Sequence, residues 1–299
     1  MIRKEVFLLF VFFLIGCGNP KMNVGPPLIA DPGVDPDSWA FIPAGEFLAG
    51  QFNHEEWIAD DFEIMVTHVT NQQYVQYLNE ALTADAIKIV DDQIVGYYPG
   101  DEFRGYRHEE KIEAGDWLHV PLNDTSLRLV FDGDEFTVIP GYENHPMTVV
   151  TWFGAKAYCD FYGWRLPLEF EWEKAARGED GRPYPWGDDI EQNQANYYSS
   201  GDPFEEFNGK QGDTTPVGFY NGSSYEDYVT LDSASPYGLY DMAGNVEQWM
   251  GDVYEIQHYR YLRGGSKALY AYNLRVWTRN NATPTYFSPN VGFRCARTP

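Results

Sequence analysis

The stretch Tyr237-Gly-Leu-Tyr-Asp-Met-Ala-Gly-Asn-Val-Glu-Gln-Trp249 constrains this chain more than any other. Gly238 and Gly244 allow positive φ or close backbone approach, and Leu239, Tyr240, Met242 and Trp249 are large enough to anchor a core around the bend. Asp241 and Gln248 offer side-chain oxygens seven residues apart. The intervening Ala243-Gly244-Asn245-Val246 segment can aim carbonyls the same way, giving the oxygen-only shell that Ca²⁺ prefers. The same residue types also make an ordinary tight turn in which Asp and Asn satisfy their own backbone. The residues by themselves leave both readings open.

The chain opens on a short basic region, Met1 to Lys4, followed by an unbroken apolar run from Val6 to Gly16. Eleven apolar residues are too few to span a bilayer but suit a signal-peptide core, so residues 1–16 are expected to be removed. Leu14-Ile-Gly-Cys17 looks like a bacterial lipobox, which predicts acylation of Cys17 and attachment to a membrane without crossing it. Residues 17–38 carry Pro20, Pro26, Pro27, Pro32 and Pro36 with few large apolar side chains, the composition of an extended tether.

Losing Arg3, Lys4 and Glu5 with the leader shifts the formal charge from −24 to −25. Such a field repels nucleic acid and attracts divalent cations or basic partners, and with no basic arm present nucleic acid is excluded as a partner. Residues 39–299 are read as one domain, because 17% aromatic content favours bulky irregular packing.

Phe41 to Gly50 reads as a strand and turn, and Phe62 to Val69 as a second strand. Thr70 with Gln73 is a capping-box signature, and Tyr74, Tyr77, Leu78, Ala81 and Leu82 share the buried face of the helix that follows. A second helix is expected from Thr151 to Tyr162, stopped by Gly163, and a third from Glu169 to Arg177, ending at Gly178. Between them, residues 83–144 predict a small β subdomain or flap with strands at Ile87–Val90, Ile94–Tyr98 and Leu127–Ile139. Asp132-Gly-Asp134 is a hairpin turn, since it lacks the further ligands of an EF-hand loop.

The turn stretch, Gly163 to Gly178 with its Trp-Arg-Leu-Pro start, Tyr184-Pro-Trp-Gly187, Leu262-Arg-Gly-Gly-Ser266 and Asn290-Val-Gly-Phe-Arg-Cys295 resemble the blocks of the formylglycine-generating enzyme (sulfatase-modifying factor) family, in the family's order. Phe62 to Tyr74 supplies a sixth, so the resemblance spans roughly residues 39 to 297. It implies an α+β domain, a C-type-lectin-like variant with little regular secondary structure and bound calcium. It also implies that Arg165, Glu169 and Glu171 form buried ionic struts.

With Cys17 lipidated, Cys159 and Cys295 remain, an even count that argues for pairing in an oxidising compartment. The resemblance implies the same disulfide. It further implies a first calcium site of Asn196 and the Tyr197 backbone, closed near Asn208. A second would use the Asp241 and Gln248 side chains with the Gly244 and Val246 carbonyls. Family members usually carry Glu at the Gln248 position, so one ligand has lost its charge.

The family's enzymes bind copper through two cysteines shortly after the Gly-Gly-Ser turn. Gly264 to Arg279 contains no cysteine, so the thiolate site that Cu(I) needs cannot be built there and no copper is expected. The superfamily's sulfoxide synthases hold iron on histidines, largely from an added helical domain. That domain is missing here, and His54, His68, His108, His119, His145 and His258 show no close helical spacing.

In lectin-like domains of this lineage the segment after Gly-Gly-Ser lines the ligand face. Here it offers Tyr270, Tyr272, Asn273, Arg275, Trp277, Arg279, Asn280 and Tyr286, with core packing the competing role for Trp277, Leu274 and Val276. The resulting expectation is a non-catalytic, lipid-anchored binding or scaffold module of the bacterial cell envelope, similar to gliding-motility and secretion-associated lipoproteins. Its ligand would be an envelope protein or a glycan. The rival readings are an enzyme with altered chemistry in the same pocket and a carbohydrate-binding lectin-like domain.

Overall fold

The computed structural model describes residues 30–101, 112–205, 212–254 and 259–299. The apolar run, Cys17, most of the tether and Asn208 lie outside the described residues.

Each helix begins where the sequence supplies a cap. At α1 (Asn71–Thr83), Thr70 Oγ1 accepts the Gln73 N–H at 3.2 Å and Gln73 Oε1 accepts the Thr70 N–H at 2.9 Å, satisfying two orphan donors reciprocally. At α2 (Trp152–Phe161), Thr151 Oγ1 accepts the Gly154 N–H at 3.2 Å. At α3 (Glu169–Arg177), Glu171 Oε2 reaches back to the Leu168 N–H at 2.8 Å. Gly178, at φ +72°, lets the chain leave α3 at a conformation costly for other residues.

The strands are short and spread over several small sheets. Phe62–Met65 runs between Trp39–Ile42 and Ala296–Arg297, antiparallel to both. The strand expected from Phe41 breaks at Pro43, which has no N–H to donate, and resumes as Gly45–Ala49 paired with His54–Ile58. A four-stranded sheet runs Asn280–Ala282, Tyr259–Arg263, Glu247–Tyr254 and Val291–Gly292, the last pair parallel.

The segment 83–144 departs from the expected separate subdomain. Ile87–Val90 and Gln93–Tyr98 pair as predicted, but a third strand, Gly115–Pro121, joins them. Leu127–Ile139 splits into Leu129–Phe131 and Phe136–Val138 around the Asp132–Asp134 turn. Ile87, Ile94, Val120, Leu129 and Phe136 bury into the same core as α1 and α2, so this insertion completes the main core.

That core is strongly aromatic. Tyr74 of α1 stacks on Tyr158 of α2 at 5.7 Å and meets Phe293 edge-on at 6.0 Å. The Cys159–Cys295 disulfide, with Cα atoms 5.8 Å apart, closes beside them and ties α2 to the C-terminal strand. Trp152, Trp172 and Trp249 are fully buried, and each indole N–H is satisfied: by Met250 O at 2.8 Å, Gln248 Oε1 at 2.9 Å and Val150 O at 3.1 Å respectively. Among the described residues no helix is long and apolar enough to cross a membrane.

Candidate functional site

The turn at 237–249 bends as its glycines predict, and Asp241 and Asn245 also adopt left-handed φ of 55° and 63°. A Cβ at Gly244 would lie 2.4 Å from the Asn196 carbonyl oxygen, so glycine is required for that approach. Leu239, Met242 and Trp249 are buried, whereas Tyr240 is half-buried.

The cation at the centre of the bend is an arginine. Arg294 donates through Nε to Gln248 Oε1 at 2.7 Å, and its terminal nitrogens reach the carbonyls of Met65, Val66, Tyr240 and Asp241 at 2.8–3.3 Å. Burial draws the Arg294 pKa down to about 9, opposed by the nearby Asp241 charge. Gln248 Oε1 also accepts the Trp172 indole N–H, so both of its lone pairs are used. Asp241 Oδ2 accepts the Gly218 N–H at 2.7 Å, and burial raises this carboxyl to about 6.

The two side-chain ligands expected for a divalent ion in the second position, Asp241 and Gln248, are thus already hydrogen-bonded within the fold. The neutral amide that replaces a charged ligand is saturated by two donors, and a guanidinium occupies its neighbourhood. At the first position, Asn196 Nδ2 donates to Asp213 O at 2.8 Å and the Tyr197 carbonyl accepts the Ser200 N–H at 3.0 Å. The third member of that set, Asn208, falls outside the described residues, so the set is not assembled among them.

The ionic struts form and extend further than expected, although the one through Arg165 is only partly buried. Glu173 bonds Arg177 at 2.9 Å and Arg263 at 2.6 Å, all three side chains fully buried. Glu169 bonds Arg263 at 2.9 Å and also Arg279. Arg165 grips Glu171 with two parallel bonds of 2.6 and 2.7 Å.

The proposed ligand face divides. Tyr270 and Tyr272 are 66% and 64% exposed, at the cap and in the first turn of a short 3₁₀ segment, Ala271–Leu274, to which Asn273 also belongs. Tyr198 meets Tyr270 edge-on at 5.0 Å, and Arg275 lies over the Tyr272 ring at 4.6 Å. Leu274 and Val276 are core, and Trp277 is half-buried against the second core with the Arg177 guanidinium 5.3 Å from its ring. Arg279 is committed to Glu169, and Asn280 donates to Glu247 at 3.1 Å. Tyr286 is exposed beside Trp249. The exposed aromatic part of this segment therefore centres on Tyr270 and Tyr272, with half-buried Arg275 against Tyr272 and exposed Tyr198 against Tyr270, the last a residue that sequence reasoning missed.

Lys267 was also missed. It directly follows Gly-Gly-Ser and is buried, its Nζ donating to Pro289 O and Asn290 Oδ1, both at 2.6 Å. Burial lowers its pKa to about 8, with Asp213 acting in the opposite sense. Asp213 in turn takes Arg128 at 2.9 Å and the Tyr142 hydroxyl at 2.7 Å. Its position after the Gly-Gly turn was the available signal, but a lone lysine there gives no hint of burial.

The family model described as the sulfatase-modifying factor enzyme 1-like domain matches residues 29–299. The serine/threonine-protein kinase pkn1 of Chlamydia caviae is 32% identical over 283 residues, covering 86% of this chain and 37% of that protein. The inactive C-alpha-formylglycine-generating enzyme 2 of Bos taurus is 39% identical over 159 residues, 50% of each. The chain thus spans 37% to 50% of the length of these curated relatives. The structure of PvdO from Pseudomonas aeruginosa covers 87% of this chain and 94% of its own, at a TM-score of 0.56 and 21% identity, which shows the shared fold. The α+β architecture of short strands is accordingly the C-type-lectin-like variant that the sequence blocks implied. Because the match runs through all six blocks and the insertion between them, this chain belongs to the sulfatase-modifying factor enzyme 1-like family.

Proposed function

We propose that this chain is a lipid-anchored, non-catalytic binding or scaffold module of a bacterial cell envelope. The observation that carries the reading is the segment after Gly-Gly-Ser266. It holds no cysteine between Gly264 and Arg279, its lysine is locked onto two neutral oxygens, and the next residues present exposed tyrosines. An ammonium held by amide oxygens is not a copper ligand set, whereas exposed Tyr with a neighbouring Arg gives contact area at low entropic cost. The bovine relative named as inactive is consistent with a family framework used without turnover. The lipid anchor rests on the sequence of residues 1–17 alone.

The test is cross-linking of the native lipoprotein in its own envelope, compared with a Tyr270→Ala/Tyr272→Ala variant. A specific protein partner lost in the variant supports the scaffold. Oxidation of a cysteine-containing sulfatase peptide by the purified protein with added copper would overturn it in favour of an enzyme. Glycan binding lost in the same variant would replace the protein partner with a carbohydrate. Radiolabelled palmitate incorporation that survives Cys17→Ser would remove the assignment of the anchor to Cys17.

A further inference from the structure

A cavity of about 810 Å³ lies between the end of the strand His54–Ile58 with the turn through Asp61, the first turn of α3 with Arg165, Asp252 of the strand Glu247–Tyr254, and Thr298 and Pro299. Its size falls in the range of about 300–1,000 Å³ typical of binding sites. It shares no lining residue with the tyrosine surface described above.

Its apolar lining is Trp57, Ile58, Leu168 and Phe170. Phe170 is held edge-on by Phe47 and His54, each at 6.3 Å, while the Trp57 indole is 63% exposed and Leu168 45%. The charged lining is Asp60, Asp61, Glu171 and Asp252 against one cation, Arg165, and that guanidinium is already matched to Glu171. Asp61 Oδ1 accepts the Ala44 N–H at 2.7 Å, and both Asp252 oxygens accept the Glu169 N–H at 2.8 and 3.1 Å. These are bonds to backbone amides; Asp61 also feels the Lys174 ammonium at longer range, but among the described residues no salt bridge engages Asp60, Asp61 or Asp252.

We propose that this cleft docks a basic, extended segment of a partner protein, with a lysine or arginine side chain seated between Trp57 and the carboxylates of Asp60, Asp61 and Asp252. An indole face beside carboxylates that form no salt bridge of their own is the combination that attracts an ammonium or guanidinium by cation–π and Coulomb terms together. The aliphatic stem of such a side chain, or an apolar neighbour in the segment, covers Leu168 and the rest of the Trp57 ring. Anionic ligands are disfavoured by the same carboxylates and by the formal charge of −24. The cavity exceeds one side chain, which is why the occupant is a segment and not a free amine. The assignment is independent of the scaffold reading, since neither surface uses the other's residues.

The probe is a capped pentapeptide alternating leucine and arginine, titrated calorimetrically into the full chain at low salt, with a leucine–glutamate peptide as control. Saturable one-site binding of the basic peptide alone is expected. It weakens about fivefold or more in Asp60→Asn/Asp61→Asn and in Trp57→Ala, in line with the loss of two exposed charge pairs or one cation–π contact. Glu226→Gln/Asp227→Asn, which neutralises two exposed carboxylates on the separate Ser224–Val229 hairpin, leaves it unchanged. Equal loss in that control pair, no loss in the cleft variants, or no saturable binding would each overturn the proposal.

Discussion

Arg294 Nε lies 2.7 Å from Gln248 Oε1, across the centre of the turn at 237–249. This contact links the C-terminal Gly-Phe-Arg-Cys block to the bend and engages the Gln248 side-chain oxygen with a guanidinium. The neutral amide suits that arrangement, because it accepts from Arg294 and Trp172 without adding a second buried charge.

Arg294 is therefore expected to be a major stability determinant. Arg294→Met removes donors to four backbone carbonyls and to Gln248 at once, which should cost about 3–5 kcal/mol, as when a buried charge network loses one member. Arg275→Met, on the tyrosine surface, should stay within about 0.5 kcal/mol. Urea midpoints of the two variants check the contrast, and equal midpoints would contradict it.

The same logic applies to α3. Glu173 accepts from Arg177, from Arg263 and from the Gly50 N–H at 2.6 Å, so Glu173→Gln leaves buried Arg177 without its carboxylate partner and Arg263 with Glu169 alone. A loss of about 3 kcal/mol is expected. Arg165→Gln breaks a more exposed pair and should cost about 1 kcal/mol or less. Thermal unfolding of both variants distinguishes these magnitudes.

Reduction of the Cys159–Cys295 bridge, or the Cys159→Ala/Cys295→Ala variant, frees a closed loop with a sequence separation of 136 residues. The chain-entropy model puts the loss at about 4–5 kcal/mol. Denaturation with and without reductant measures it. A midpoint insensitive to reductant would mean that the surrounding aromatic packing carries this junction by itself.

Burial holds His119 and His145 down to a pKa of about 4, against an ordinary 6.5. Above pH 6.5 both folded and unfolded chains keep these imidazoles neutral. Below it the unfolded chain binds protons that the folded chain cannot accept until near pH 4, so stability falls across that window, by about 3 kcal/mol per histidine. Asp241 and Asp252, raised by burial to about 6, act oppositely, gaining stability as pH falls from 6 toward 3.8. In His119→Gln the acid-side loss should shrink, so its melting temperature approaches that of the wild type as pH drops from 6.5 to 4. A gap that stays constant with pH would exclude His119 as a contributor.

Local chemistry made much of the fold legible. The Thr70–Gln73 box, the Thr151 cap, Gly178 and the Asp132–Asp134 turn act within a few residues of chain, and all lie where their residue types predicted. The even cysteine count likewise matched the observed bridge. Interactions of this kind need no knowledge of the rest of the molecule.

What the sequence left open depends on closure over long distances. Arg294 reaches the Met65 carbonyl across 229 residues and Gln248 across 46, so only the assembled fold shows that a side chain occupies the centre of the bend. The strand Gly115–Pro121 earns its place by pairing with Gln93–Tyr98 and burying Val120, and nothing in its own alternation announced it. Lys267, Tyr198 and the Trp57 cleft were similarly invisible, because burial and juxtaposition are properties of packing, whereas caps, turns and cysteine counts are properties of the chain.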